Sequence, residues 1–94
     1  MFDIRRGDDG TVILAGRLDA ASAPVARDFL AGLTTTTRID FSHLEYIASV
    51  GLGVLIGVQR CLRESGQGLV LCGLRPHLRE VLDLAGFTGI FEIE

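Results

Sequence analysis

Arg38-Ile39-Asp40-Phe41-Ser42-His43-Leu44-Glu45-Tyr46-Ile47-Ala48-Ser49-Val50-Gly51-Leu52-Gly53-Val54-Leu55 is the stretch on which the fold turns. Ile39 and Phe41 alternate with polar residues, which predicts a strand over 38–41. The polar residues that follow predict a loop over 42–48, with Ser49 opening a helix that runs to about residue 65. Val54, Leu55, Val58, Cys61 and Leu62 recur at helical spacing, and Gly66 supplies a C-terminal stop.

The pattern extends in both directions. Upstream, Phe2 and Ile4 alternate with polar neighbours, Gly7-Asp8-Asp9-Gly10 supplies turn residues, and 11–15 reads as the second arm of a hairpin. Asp19-Ala20-Ala21-Ser22-Ala23-Pro24 offers capping oxygens and a proline suited to a first helical turn. Ala26, Phe29, Leu30 and Leu33 would form that helix's apolar face. Downstream, the apolar run 68–72 predicts a central strand covered on both faces. Pro76 opens a third helix carrying Leu78, Val81, Leu82 and Ala85, and Ile90, Phe91 and Ile93 form a closing strand. The order β-β-α-β-α-β-α-β predicts one α/β domain over residues 1–94, a mixed sheet of about five strands with three or more helices packed on it.

Composition narrows the chemistry. The 94 residues carry 48% hydrophobic and 22% charged side chains, a globular balance. A domain of this size buries about 60–65% of its unfolded surface, enough for one core. Acids outnumber bases 12 to 9, and every base is an arginine. With no lysine there is no P-loop and no Schiff base, and the scattered arginines make no stripe for nucleic acid. Cys61 and Cys72 form no metal or redox motif and are expected to be small buried side chains in a reduced compartment. No signal peptide is visible, and the longest stretch without a polar side chain, 50–58, is far short of the ~20 residues of a membrane span. A cytoplasmic protein that neither binds nucleic acid nor enters a membrane is expected.

Ser49-Val50-Gly51-Leu52-Gly53 occupies a place common to phosphate loops, but G-x-G-x-x-G would need glycine at position 56, where Ile56 stands. Three glycines in one helix cost roughly 1 kcal/mol each relative to alanine, so Gly51, Gly53 and Gly57 imply a close approach, of the helix to the sheet or of a partner to the helix. For Ser49 the plain reading is an N-cap, weakened by Leu52 where a capping box needs Glu or Gln. The functional reading is a docking surface. Ala48, Val50 and Leu52 make the helix entrance small, apolar and uncharged, and a phosphate on Ser49 would bring about −1.5 to −2 charges to it. Asp19, at a strand exit, is a turn or capping residue by default and the second partner-binding candidate. His43 and His77 read as surface loop histidines. Asp40, His43 and Glu45 match no metal pattern, and no nucleophile, base and orienting group converge. No catalytic set, metal or cofactor is expected.

Gly16-Arg17-Leu18-Asp19, Ile39-Asp40-Phe41-Ser42 with Tyr46-Ile47, Ser49-Val50-Gly51-Leu52-Gly53-Val54-Leu55, Val81-Leu82-Asp83-Leu84-Ala85-Gly86-Phe87 and Ile90-Phe91 together resemble the STAS domain of bacterial anti-sigma-factor antagonists. The resemblance covers nearly the whole chain. It implies a partner-switching protein that binds an anti-sigma factor, itself a serine kinase of the GHKL ATPase type. Phosphorylation of the helix-start serine, here Ser49, would break the complex, and a PP2C-type phosphatase would restore it. Asp19 maps onto an acidic position near the kinase-facing surface. Ala48 and Val50 stand where the family commonly has aspartate and a second serine or threonine. They raise the alternative of a constitutive structural subunit, never phosphorylated, such as STAS-like proteins that bind the ATPase of a lipid-transport complex. The expected partner-binding residues are Asp19, Ala48, Ser49, Val50, Gly51, Leu52 and Gly53, and the oligomeric state is open.

Overall fold

The structure, a computed structural model, describes residues 1–87 and 89–94. Its elements follow the predicted order: β1 (Phe2–Arg6), β2 (Val12–Leu18), α1 (Ala23–Leu30), β3 (Thr37–Ile47), α2 (Ser49–Arg63), β4 (Leu69–Cys72), α3 (Pro76–Leu84) and β5 (Glu92–Ile93). The five strands form one sheet in sequence order, antiparallel between β1 and β2 and parallel from β2 to β5. Each parallel step is bridged by a helix, as parallel neighbours require.

One core joins the sheet to all three helices. Val12, Leu14 and Leu18 of β2 and Ile39, Phe41, Leu44 and Ile47 of β3 meet Ala26 and Leu30 of α1, Leu52, Leu55 and Leu62 of α2, and Leu78 and Leu82 of α3. Gln59, one of three buried polar residues among those described, is only 4% exposed. Its side-chain amide donates to the Ile90 carbonyl at 2.8 Å and its carbonyl accepts the Leu69 N–H at 2.7 Å. Both ends are satisfied inside the fold, so α2 is held against β4 and the approach to β5 without an orphaned buried amide.

The largest departure from the sequence reading lies in 42–48. No loop is there: β3 continues to Ile47, and only Ala48 separates it from α2. The register explains why alternation hid this. Between Ile13↔Asp40 and Ala15↔His43, and again between Gly16↔Leu44 and Arg17↔Tyr46, β3 advances one residue more than β2. Each extra residue is a bulge that reverses the in/out phase, so the burial of β3 follows no single period of two. His43 is therefore an exposed strand residue, and His77 lies in the first turn of α3 with Nε2 3.0 Å from the Glu45 carbonyl.

Other boundaries shift less. β2 runs on through Gly16 to Leu18. At Gly16, φ is +86° and a Cβ would lie 1.7 Å from the Met1 carbonyl oxygen, which only glycine tolerates. α1 ends at Leu30, before Leu33, and Val81 and Ala85 are exposed, leaving Leu78 and Leu82 as the buried face of α3. β4 is internal, but β3 occupies the centre. β5 has shrunk to Glu92–Ile93, although Phe91 is buried. The cysteines correct the expectation of burial: Cys61 is exposed and Cys72 half-buried. The described residues contain no helix long and apolar enough to cross a membrane.

Candidate functional site

The parallel pairing of β2 and β3 ends at Leu18↔Ile47, and the Ala48 N–H continues the ladder by donating to the Leu18 carbonyl at 2.9 Å. The turn starting at Asp19 and the entrance of α2 therefore leave the sheet side by side, at the carboxyl ends of neighbouring parallel strands. In open α/β sheets this end is where ligands gather.

The N-cap of α2 is Ala48, extended at φ −91° and ψ 166°, and Ser49 is the first helical residue, which corrects the N-cap reading. Alanine offers no capping oxygen. Leu52 N–H bonds the Ala48 carbonyl, while the amides of Ser49, Val50 and Gly51 find no acceptor among the described residues. The Ser49 hydroxyl is exposed and also makes no hydrogen bond among them. Val50, beside it, is 40% exposed.

Gly51 and Leu52 turn inward. A Cβ on Gly51 would stand 2.7 Å from Leu18 Cγ and 3.1 Å from Ile47 Cγ1, so this glycine lets α2 approach the ends of β2 and β3. Gly53 and Gly57 have open space where a Cβ would go. They line an apolar groove of ≈ 360 Å³ between α1 and α2, with Arg27, Leu30, Val58 and Cys61. The approach of the helix to the sheet thus accounts for Gly51, while Gly53 and Gly57 face an open groove.

Asp19 organises the neighbouring turn. Its Oδ1 accepts the N–H groups of Ala21 and Ser22, each at 3.1 Å. Its own N–H donates to Ser22 Oγ at 2.9 Å, and that hydroxyl donates to the Arg17 carbonyl at 2.9 Å. Hydrogen bonds from the Ser22 amide and hydroxyl, then from Ala21, together with the Arg17 charge, hold the Asp19 carboxyl below its ordinary value. Asp19 is an anionic turn residue whose Oδ1 is committed to the turn.

Two residues of this end escaped the sequence reading as site candidates. Arg17 and Tyr46 are paired across the β2/β3 register, and the guanidinium carbon lies 4.3 Å from the Tyr46 ring centroid. Tyr46 is 40% exposed. Their adjacency depends on the second bulge of β3, so a single-sequence pattern carried no signal for it. Arg17 with Tyr46, and Ser49 with Val50, are each exposed at this end of the sheet, and aromatic and arginine side chains are of the kind that protein interfaces favour.

Residues 2–92 match the family model described as "Mlab, STAS domain". The anti-sigma-B factor antagonist of Listeria monocytogenes is 33% identical over 94 residues, covering 96% of this chain and 82% of that protein. The Bacillus subtilis anti-sigma-B factor antagonist is 33% identical over 95 residues, covering 97% and 87%. BtrV of Bordetella bronchiseptica reaches 46% identity over 55 residues, 58% of this chain, and the match spans 47% of its length. Among solved structures, an anti-sigma factor antagonist from Mycobacterium paratuberculosis superposes with a TM-score of 0.82 at 22% identity, covering 99% of this chain and 83% of that one. Unphosphorylated SpoIIAA superposes with 0.77 at 23%, covering 100% and 88%, and the phosphorylated form from Bacillus with 0.71 at 23%, covering 100% and 91%. The chain belongs to the STAS domain family, and within it to the anti-sigma-factor antagonist type.

Proposed function

We propose that this chain is a partner-switching antagonist that binds an anti-sigma factor through the entrance of α2 and the Asp19 turn, and that phosphorylation of Ser49 releases the partner. The observation that carries the reading is the Ser49 hydroxyl: exposed, unbonded among the described residues, and set at the first position of α2 next to the exposed Val50. A kinase can reach it without dismantling any hydrogen bond. A dianion there sits near the free first-turn amides, so the domain stays folded while an apolar partner surface meets charge. The likeness of the fold to SpoIIAA in both its unphosphorylated and phosphorylated forms supports a switch that leaves the domain intact.

The partner, on this reading, is an anti-sigma factor that is also a serine kinase of the GHKL ATPase type, with a PP2C-type phosphatase resetting the switch. Ala48, Ser49, Val50, Gly53 and Asp19 meet the partner, while Gly51 and Leu52 seat the helix from behind. Incubation with the kinase and ATP, read by intact mass, is expected to add one phosphate to the wild type and none to Ser49→Ala. Absence of the adduct, or its persistence in Ser49→Ala, would overturn the switch.

Ala48 and the exposed Val50 favour a second reading, a constitutive structural subunit bound to a transporter ATPase. It predicts that Ser49→Ala and Ser49→Asp both keep full activity in cells. The switch predicts opposite phenotypes for the two.

A further inference from the structure

β1 is the outer strand of the sheet, and its outer side pairs with no described residue. Which backbone groups face outward follows from the two ends of the hairpin. Gly7 N–H bonds the Thr11 carbonyl at 2.7 Å, and Arg17 N–H bonds the Met1 carbonyl at 3.1 Å. These bracket the register Phe2↔Gly16 to Arg6↔Val12. Hydrogen-bonded and non-bonded pairs alternate along an antiparallel ladder, so the odd residues, Asp3 and Arg5 included, bond to β2. The amides and carbonyls of Phe2, Ile4 and Arg6 therefore point away from the sheet.

The side chains divide the other way. Phe2 and Ile4 pack half-buried against the core, while Asp3 and Arg5 are exposed and take part in neither ion pair found among the described residues. Edge charges normally discourage pairing. Here their order makes one exception. If a second β1 lies antiparallel with Ile4 opposite Ile4, Asp3 of each strand faces Arg5 of the other, and Phe2 faces Arg6. A dyad at Asp3 would set Asp3 against Asp3, and a dyad at Arg5 would set Arg5 against Arg5. Only the Ile4 register places opposite charges across from each other on both sides of the axis.

The same register is the one that the backbone can use. Its hydrogen-bonded pairs are Ile4 with Ile4 and Phe2 with Arg6 twice, and these are the residues with outward groups. About six hydrogen bonds would close the ladder. Asp3 and Arg5 then form non-hydrogen-bonded pairs, in which opposing side chains come closest. On the inner face the Arg6 stem would lie across from the half-buried Phe2 ring, and Ile4 would meet its own copy.

We propose that the β1 edge is a self-association surface, whose occupant is a second copy of this chain added antiparallel about Ile4 and held by reciprocal Asp3–Arg5 pairs. The two sheets become one continuous sheet. An edge of five residues makes a small interface, so the dimer is reversible and concentration-dependent. β1 is separated from β3 and α2 by β2, so each copy keeps its Ser49 surface outside the joint.

Sedimentation equilibrium from micromolar to millimolar concentration tests this, independently of any kinase or anti-sigma factor. The wild type is expected to show a monomer–dimer equilibrium. Asp3→Arg and Arg5→Asp, which each put two like-charge pairs across the dyad, are expected to weaken association about tenfold or more. The double exchange Asp3→Arg/Arg5→Asp is expected to restore it to within about threefold, since the pairs are merely inverted. All three changes are on exposed side chains, and unchanged far-ultraviolet circular dichroism confirms folding. A wild type that stays monomeric, or a dimer indifferent to the single reversals, would overturn the proposal.

Discussion

Ser22 and Ser49 stand at the starts of two helices that leave the same end of the sheet, and the structure uses them in opposite ways. Ser22 is 9% exposed, accepts the Asp19 N–H and donates to the Arg17 carbonyl. Its hydroxyl is a fastener in a turn that also binds two amides to Asp19 Oδ1. Ser49, one strand over, is exposed and bonds to nothing among the described residues. A helix-start serine is ordinarily read as a cap. In this protein the first fastens its helix start through the turn behind it. The second is left available because its helix is positioned by other means, Gly51 against Leu18 and Gln59 against Leu69 and Ile90.

The contrast breaks most severely at Gly51. A valine there drives carbon atoms into Leu18 and Ile47, both buried, and is expected to cost about 3 kcal/mol, read as a lower urea midpoint with unchanged slope. Gly53→Ala, two residues on but facing open space, should raise stability by up to about 1 kcal/mol. If both changes destabilise alike, α2 is not seated by one face.

Next comes the serine pair itself. Ser22→Ala leaves the Asp19 N–H and the Arg17 carbonyl without their partner and is expected to cost about 2 kcal/mol. Ser49→Ala should fall within about 0.5 kcal/mol of wild type, as for a surface residue without contacts. Equal losses in chemical denaturation would erase the distinction.

A smaller effect sharpens it. Ser49→Asp places a negative charge at the first position of a helix that has no acidic residue in its first turn, and should stabilise the fold by about 0.5 kcal/mol at low salt. Thermal melting at two ionic strengths checks the gain and its screening. Loss of partner binding with a fold this stable would separate the switch from unfolding.

The subtlest test is acid. Asp19 titrates below its ordinary value of 3.8 because the folded turn donates hydrogen bonds to its ionised form. A depressed carboxylate binds its proton less readily folded than unfolded. Its contribution is therefore complete above that ordinary value and fades as pH falls from there through the lower folded pKa. The stability gap between wild type and Asp19→Asn should be constant near neutrality and close below about pH 4. The absence of a gap at any pH would mean that the turn needs the oxygen and not the charge.

Much of this was legible in the residues. The helix starts at Pro76 and Ser49, the hairpin turn at Gly7–Gly10 and the order of elements all rest on local chemistry. The stretch 42–48 was not legible, because two bulges reverse the phase of β3 and make a strand resemble a loop. Cys61 misled for a related reason. It shares the helical spacing of Val54, Leu55 and Leu62, yet falls on the side of α2 that borders the open groove and not the sheet.

The sequence by itself determined the element types, their order and the apolar stripes, since periods of two and 3.6 are set by backbone geometry within a few residues. It also marked Ser49, Asp19 and the glycines as unusual. Only the tertiary structure decided that Gly51 is packed while Gly53 and Gly57 are open, that Ser22 is bound while Ser49 is free, and that Arg17 lies over Tyr46. Those outcomes hang on the register of β2 against β3, a pairing of residues distant in the chain that no local period encodes.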